Sequence, residues 1–138
     1  MSSFKVFGIA GSALSAQSVR MNTLASNLAN ANTVSGDKDK VYRPRYPVFE
    51  AVASETAKPD GMGAAVRVTD VIESEKAPLA RYEPGNPLAN AEGYVFAPDI
   101  NAVEQMVDMI AASRSYQNNI EVINTSKEML LSTLRIGQ

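Results

Sequence analysis

SFKVFGIAGSALSAQSVRMNTLASNLAN, residues 3–30, contains no proline and places Phe7, Ala10, Leu14, Gln17, Met21, Leu24 and Leu28 at alternating steps of three and four. That spacing is a heptad seam and predicts one helix of nearly thirty residues, roughly 40 Å long at about 1.5 Å per residue. A compact domain of this size does not need so long a helix to cover one core face, so the helix is expected to project. Ala, Ser and Asn fill most of the other positions, and Ser and Asn side chains compete with the helical backbone for hydrogen bonds. Order in such a helix has to come from packing.

Beyond Asn30 the heptad gives way to Asn, Thr, Ser and Gly over residues 31–36, and the charged run Asp37-Lys38-Asp39-Lys40 follows. The helix is expected to fray there into a solvated loop. Asn22, Asn27, Asn30 and Asn32 are poor helix formers close together. They mark either a fraying helix end or amides bonded to neighbouring backbone.

All seven prolines lie between Val41 and Pro98. In the same region residues 47–53, PVFEAVA, and 65–72, AVRVTDVI, carry β-branched residues with partial alternation and predict strands. Lys58-Pro-Asp-Gly61 has the chemistry of a tight turn between them, and Glu83-Pro-Gly-Asn-Pro87 forms a second turn cluster before Gly93-Tyr-Val-Phe96. A twisted hairpin with an added extended arm is the expected middle.

Pro98-Asp-Ile-Asn101 starts the last segment, with Asn101 three residues before Glu104 as in a capping box. A helix should run from there to about Ile136. Its apolar stripe is read as Met106, Ile110, Tyr116, Ile120, Ile123, Leu130 and Leu134, with Ser113 and Lys127 in two seam positions and one irregular step. The expected architecture is α+β: an antiparallel, coiled-coil-like hairpin of two terminal helices carrying a small β-rich middle. Its divisions are an N-terminal helix (1–33), a β-rich region with an extended arm (34–98) and a C-terminal helix (99–138).

Composition narrows function before any motif does. Of 138 residues 45% are hydrophobic and 20% charged, enough for one buried core in one unit. There is no cysteine, tryptophan or histidine, which removes disulfides, thiolate nucleophiles, the commonest metal ligands and the side chain that titrates near neutrality. No basic patch is present for a phosphate backbone, so nucleic acid is not an expected partner. No apolar run spans a bilayer and no secretory leader is evident, so neither membrane insertion nor a cleaved signal peptide is expected. Up to Thr33 the only charged side chains are Lys5 and Arg20, whereas five acids and three bases lie from Asp99 onward, so the two ends are weakly complementary.

Candidate chemistry is thin. Gly61-Met-Gly63 begins like a dinucleotide fingerprint, but Val66 replaces the third glycine and no helix pattern follows, so a turn is the better reading. Glu73 with Glu75, and Asp37 with Asp39, sit in charged segments where nothing would shift their pKa values. Ser12, Ser15, Ser113 and Ser115 have no histidine to activate them. The sequon Asn124-Thr-Ser126 falls inside a predicted helix. No catalytic residue, cofactor or metal is expected.

The two helical stripes could bury each other within one chain. They could also bind neighbours, as their position at both chain ends and the polar seam residues Gln17 and Lys127 suggest. Ala25-Ser-Asn-Leu-Ala-Asn-Ala-Asn-Thr33, with Leu14 and Met21 upstream, resembles the N-terminal signature of the flagellar rod and hook axial proteins. The run of residues 104–129, EQMVDMIAASRSYQNNIEVINTSKEM, with Tyr82-Glu-Pro-Gly-Asn-Pro87 and Gly93-Tyr-Val95, resembles a proximal-rod member of that family. The likeness covers nearly the whole chain in order and is weakest over residues 52–62. Asp99-Ile100 after Pro98 and the charged loop at residues 37–40 depart from its pattern.

The resemblance implies a structural subunit of the proximal rod, the periplasmic drive shaft between rotor and hook, exported by the flagellar type III apparatus without a cleaved leader. Implied partners are copies of itself, other rod proteins, the inner-rod adaptor at the rotor and export gate, and the export apparatus. Expected subunit-contact residues are Leu14, Met21, Leu24, Asn27, Leu28, Asn30, Met106, Ile110, Tyr116, Ile120, Ile123, Leu130 and Leu134. Another axial subunit, or a soluble coiled-coil adaptor with no filament role, is the alternative.

Overall fold

The computed structural model describes residues 3–53 and 64–137. Helix α1 spans Ser3–Asn30 and helix α2 spans Ala102–Ile136. At about 1.5 Å per residue they are roughly 42 and 52 Å long. Asn101 stands in extended backbone and its side-chain oxygen accepts from the backbone N–H groups of Val103 and Glu104, which explains why α2 starts there. α1 ends in turns at Ala31 and Thr33, whose N–H groups donate back to Leu28 and Asn30.

The helices pack against each other. Asn27 of α1 meets Gln105 of α2, and Arg20 meets Asp108, so the partner position moves backward as α1 moves forward and the two run antiparallel there.

Strands β1 (Arg45–Ala53) and β2 (Ala64–Glu73) form an antiparallel hairpin, with Arg45 opposite Glu73 and Ala53 opposite Ala64. The register slips by one residue between Val48 and Phe49, a bulge that leaves Thr69 unpaired. The proposed tight turn at residues 58–61 and the Gly61–Gly63 pair lie outside the described residues. The hairpin runs back along α1: Arg45 bonds to Asn27, and the Val66 N–H donates to the Ser12 hydroxyl near the other end.

Instead of a single extended arm, a second two-stranded sheet follows, β3 (Leu79–Tyr82) with β4 (Tyr94–Ala97). β3 has all four side chains exposed and no alternation, so it is a strand only because β4 pairs with it. Between them, Glu83 to Leu88 makes the anticipated turns, with the Asn86 N–H donating to the Glu83 carbonyl. Gly93 adopts φ +82°, a left-handed conformation in which a side chain would be strained. On its other side β4 exchanges backbone bonds with Ser35, and the Lys38 ammonium sits 5.2 Å from the centre of the Phe96 ring. The charged loop is organised into one 3-10 turn, Lys38–Lys40, with Asp37 as its cap. Gly36 is required by close approach, since a Cβ there would lie 2.5 Å from the Leu88 carbonyl oxygen.

The core is thin. Its buried apolar members are Ala10, Ala16, Leu24, Ala31, Val41, Val95, Phe96, Ala97 and Ala112, mostly small. The chain exposes 9540 Å², against roughly 7000 Å² for a compact monomer of this size. Among the described residues eighteen large apolar side chains are exposed, half of them on α2.

Candidate functional site

Asn27 decides how the two helices join. Its side chain is fully buried. The amide nitrogen donates to the Arg45 carbonyl at 2.9 Å and to the Gln105 side-chain oxygen at 3.1 Å. The amide oxygen accepts from the Arg45 backbone N–H and from the Tyr42 hydroxyl, both at 2.9 Å. Both donors and both lone pairs of the carboxamide are therefore used. The pair of bonds to Arg45 reproduces what a neighbouring strand would offer, so the amide joins α1 to the entry of β1 while also holding α2. Ser26 extends the network to the Tyr42 hydroxyl at 3.0 Å.

Among the four asparagines, only Asn27 works this way. Asn30 donates to the Ser26 carbonyl within its own helix, and Asn22 and Asn32 are exposed. Asn27 and Asn30 thus bond to backbone, whereas Asn22 stays within a helix that continues to Asn30 and Asn32 lies just past its end.

The face of α2 that turns toward α1 is Gln105, Met109, Ala112, Tyr116, Asn119, Ile123, Ser126 and Leu130, every one buried or half-buried. These positions alternate steps of four and three without a break. The signal was present in the sequence as spacing, but Gln, Asn and Ser occupy three of the positions, so a search for apolar residues misses the row. Gln105 and Tyr42, both essential to the joint, escaped for the same reason.

The expected contact residues distribute over several faces. Leu24 and Asn27 are buried; Leu14, Met21, Leu28, Asn30, Tyr116, Ile123 and Leu130 are half-buried; Met106, Ile110, Ile120 and Leu134 are exposed. The stripe read from Met106 to Leu134 therefore joins residues of the inner row to residues of the outer faces, which accounts for its irregular step. Val103 and Val107 extend the exposed group, each more than half exposed. On α1 the exposed positions from Lys5 on are Lys5, Gly8, Gly11, Ser15, Asn22, Ala25 and Ala29, nearly all small.

Ser12, Glu73 and Asp37, three of the side chains considered for chemistry, have structural partners. The Ser12 hydroxyl donates to the Ile9 carbonyl and accepts from Val66, and Glu73 pairs with Arg45 at 3.0 Å. The Asp37 carboxylate lies below its ordinary value because the Asp39 N–H donates to it, with Lys40 adding to the effect. An open depression along α2 is lined by Asn118, Glu121, Val122, Thr125, Ser126 and Met129, all from one helix. It is a helix face with one carboxylate.

Comparison with known proteins gives two family models in chain order. Residues 7–36 match the model described as flagella basal body rod protein, and residues 91–136 match the one described as flagellar basal body rod FlgEFG protein C-terminal. Over the full length of both chains the sequence is 51% identical to the flagellar basal-body rod protein FlgC of Escherichia coli O6:H1 and 50% identical to that of Salmonella typhimurium. It is 33% identical to the FlgC protein of Bacillus subtilis, again across the whole of both.

Proposed function

The chain belongs to the FlgC family of flagellar basal-body rod proteins and is a structural subunit of that rod, and from this premise we propose that α2 binds neighbouring subunits through its outer faces while the Asn27 joint holds it in place. The observation that carries the reading is the placement of polarity on α2. Gln105, Asn119 and Ser126 face inward, whereas Val103, Met106, Val107 and Ile110 face out. Exposed apolar residues in a contiguous group mark a contact surface.

Of the expected contact residues, Met106, Ile110, Ile120 and Leu134 meet neighbours. Leu14, Met21, Leu24, Asn27, Leu28, Asn30, Tyr116, Ile123 and Leu130 hold the helix pair, which packs as an antiparallel coiled coil and opens toward the neighbours at its half-exposed edges. Residues 1–33 and 99–138 are the assembly segments, and residues 34–98 brace them. The subunit sits in the periplasmic proximal rod, transmits torque, and performs no catalysis. It contacts other rod proteins, copies of itself and the adaptor at the rotor, having been exported by the type III apparatus.

Free helices of this composition are weakly ordered, and fixing each backbone residue costs about 1–2 kcal/mol. Burial between subunits offsets that cost, so the helix ends beyond the Asn27 joint become ordered as the subunit assembles. Ile120→Asn is expected to abolish motility and rod completion while leaving exported subunit detectable, and Leu24→Asn to do the same through the joint. Normal motility in both variants would reject the packing reading. Circular dichroism of the isolated subunit tests the coupling separately: two fully formed long helices before assembly would refute it.

A further inference from the structure

Besides the faces they turn to each other, both helices carry a second row at alternating steps of three and four. On α2 it reads Val103, Met106, Ile110, Ser113, Gln117, Ile120, with the first three more than half exposed and Ile120 exposed as well. On α1 it reads Gly8, Gly11, Ser15, Ser18, Asn22, Ala25, with no side chain larger than asparagine and all but Ser18 exposed.

The smallness of the α1 row has no explanation inside the chain. Among the described residues a Cβ added at Gly8 or Gly11 would meet nothing within 4 Å, so neither glycine makes room for a group of its own subunit. Glycine also weakens a helix interior, so a helix built only to pack on α2 would gain from alanine at both positions. The α2 row is the opposite case, with four large apolar side chains that the subunit leaves in water.

The two rows fit one another at a single offset. Run antiparallel, they set Ala25 against Val103, Asn22 against Met106, Ser18 against Ile110, Ser15 against Ser113, Gly11 against Gln117 and Gly8 against Ile120, each step along one row being matched by the same step along the other. Every large apolar side chain meets a small or short one, and the serines meet each other. Charge agrees with that alignment. Lys5, one turn before Gly8, and Glu121, next to Ile120, come to the same end of the contact. Both are exposed, and among the described residues neither has an ion-pair partner. Glu121 is two residues from both Asn119 and Ile123 of the inner row, which points it away from its own α1.

We propose that this row of α2 in one copy of the chain packs, antiparallel, on the row of α1 in the next copy, with Glu121 of the first beside Lys5 of the second. This rests on the rod reading above. Direction selects the pairing. Copies repeated along one axis with one polarity keep α1 of one antiparallel to α2 of another, as the two are within a chain. Two α2 helices would instead run parallel and set large side chains against large ones, and two α1 helices would leave the α2 row uncovered. The contact joins two different patches, so it is heterologous and passes from copy to copy.

The chain contains no cysteine, so introduced thiols report this contact without background. Ala25 and Val103 are exposed, and each stands two residues from a member of the joint, Asn27 or Gln105, on the far side of its helix, so they cannot bridge within one chain. Basal bodies are purified from cells making the Ala25→Cys, Val103→Cys chain, each single variant, or a Ser18→Cys, Val103→Cys chain displaced by one heptad, and are oxidised with copper phenanthroline. The first is expected to give dimers, trimers and higher multimers of this chain alone, and the others none. Multimers from the displaced pair or a single variant, dimers with nothing higher, a cross-link to a different basal-body protein, or no cross-link in basal bodies that contain the chain would each overturn the proposal. Absence of the unsubstituted chain from basal bodies would instead sink the rod reading on which it rests.

If the double variant does not enter the rod, Gly11→Leu decides. Its urea midpoint as an isolated subunit is expected to equal or exceed the parent's, while swarming is lost. Undiminished swarming, or a subunit less stable than the parent, would overturn the proposal.

Discussion

The inner row of α2 carries three polar residues among eight, while the outer face of its first turns is almost wholly apolar, an unusual division for a self-sufficient helix hairpin. Inward lie Gln105, Asn119 and Ser126, and outward lie Val103, Met106, Val107 and Ile110. Polar residues inside are tolerated because they are satisfied: Gln105 meets Asn27, and Asn119 donates to the Ser115 carbonyl. The Asn27–Gln105 bond crosses between the helices and fixes their register, since it forms at only one alignment. Apolar residues outside gain nothing from the isolated subunit's fold, so their burial is left to assembly. The two regions divide the work, one setting the geometry of the pair and the other supplying its adhesion.

Removing the amide from the inner region is the severest way to test that division. Asn27→Leu leaves the Arg45 backbone groups, the Tyr42 hydroxyl and the Gln105 side chain without their partner. A loss of roughly 3–5 kcal/mol in subunit stability is expected, read by urea denaturation. If the variant denatures like the parent chain, the joint does not set the geometry. Leu24→Ala removes apolar packing from the same joint and should cost roughly 2–4 kcal/mol by the same measurement.

Gly36→Ala probes a contact away from both regions. Its Cβ would meet the Leu88 carbonyl oxygen at 2.5 Å, so about 1–3 kcal/mol should be lost as the loop shifts. Ile110→Asn belongs to the outer region and should change subunit stability by less than about 0.5 kcal/mol while rod assembly falls sharply. A large stability loss would place Ile110 in the subunit's own core and break the comparison.

The smallest expected effect is at Asp37. Its carboxyl is held below the ordinary value by the Asp39 N–H, so its contribution is present above the unfolded value and is lost as pH falls through the lower folded one. The Asp39 amide resonance, followed by NMR in an acid titration, should shift with that lowered midpoint. An ordinary carboxyl midpoint would show that the cap does not form.

Much of this was legible. The absence of proline and the heptad of residues 3–30 placed α1 at Ser3–Asn30, and Asn101 with Glu104 placed the start of α2. The runs at residues 47–53 and 65–72 became the hairpin. Leu79–Tyr82 was not legible, because an exposed strand of four residues has no pattern of its own and exists through its pairing with Tyr94–Ala97. The buried role of Asn27 was half legible. Four asparagines in one segment announced something other than a plain helix, but their side chains are chemically identical, and only Arg45, Tyr42 and Gln105 single one out.

The sequence by itself determined where the helices begin and end, that conventional catalytic and metal chemistry lacks its usual residues, and which family motifs the chain carries. These depend on local hydrogen bonding, capping and residue identity. Which face of α2 turns inward, and which asparagine is buried, only the tertiary structure decided. A helix satisfies its own backbone whichever way it is rotated, so its orientation is set by partners distant in the chain. Here those partners are amides, whose preference for burial depends wholly on what stands opposite them.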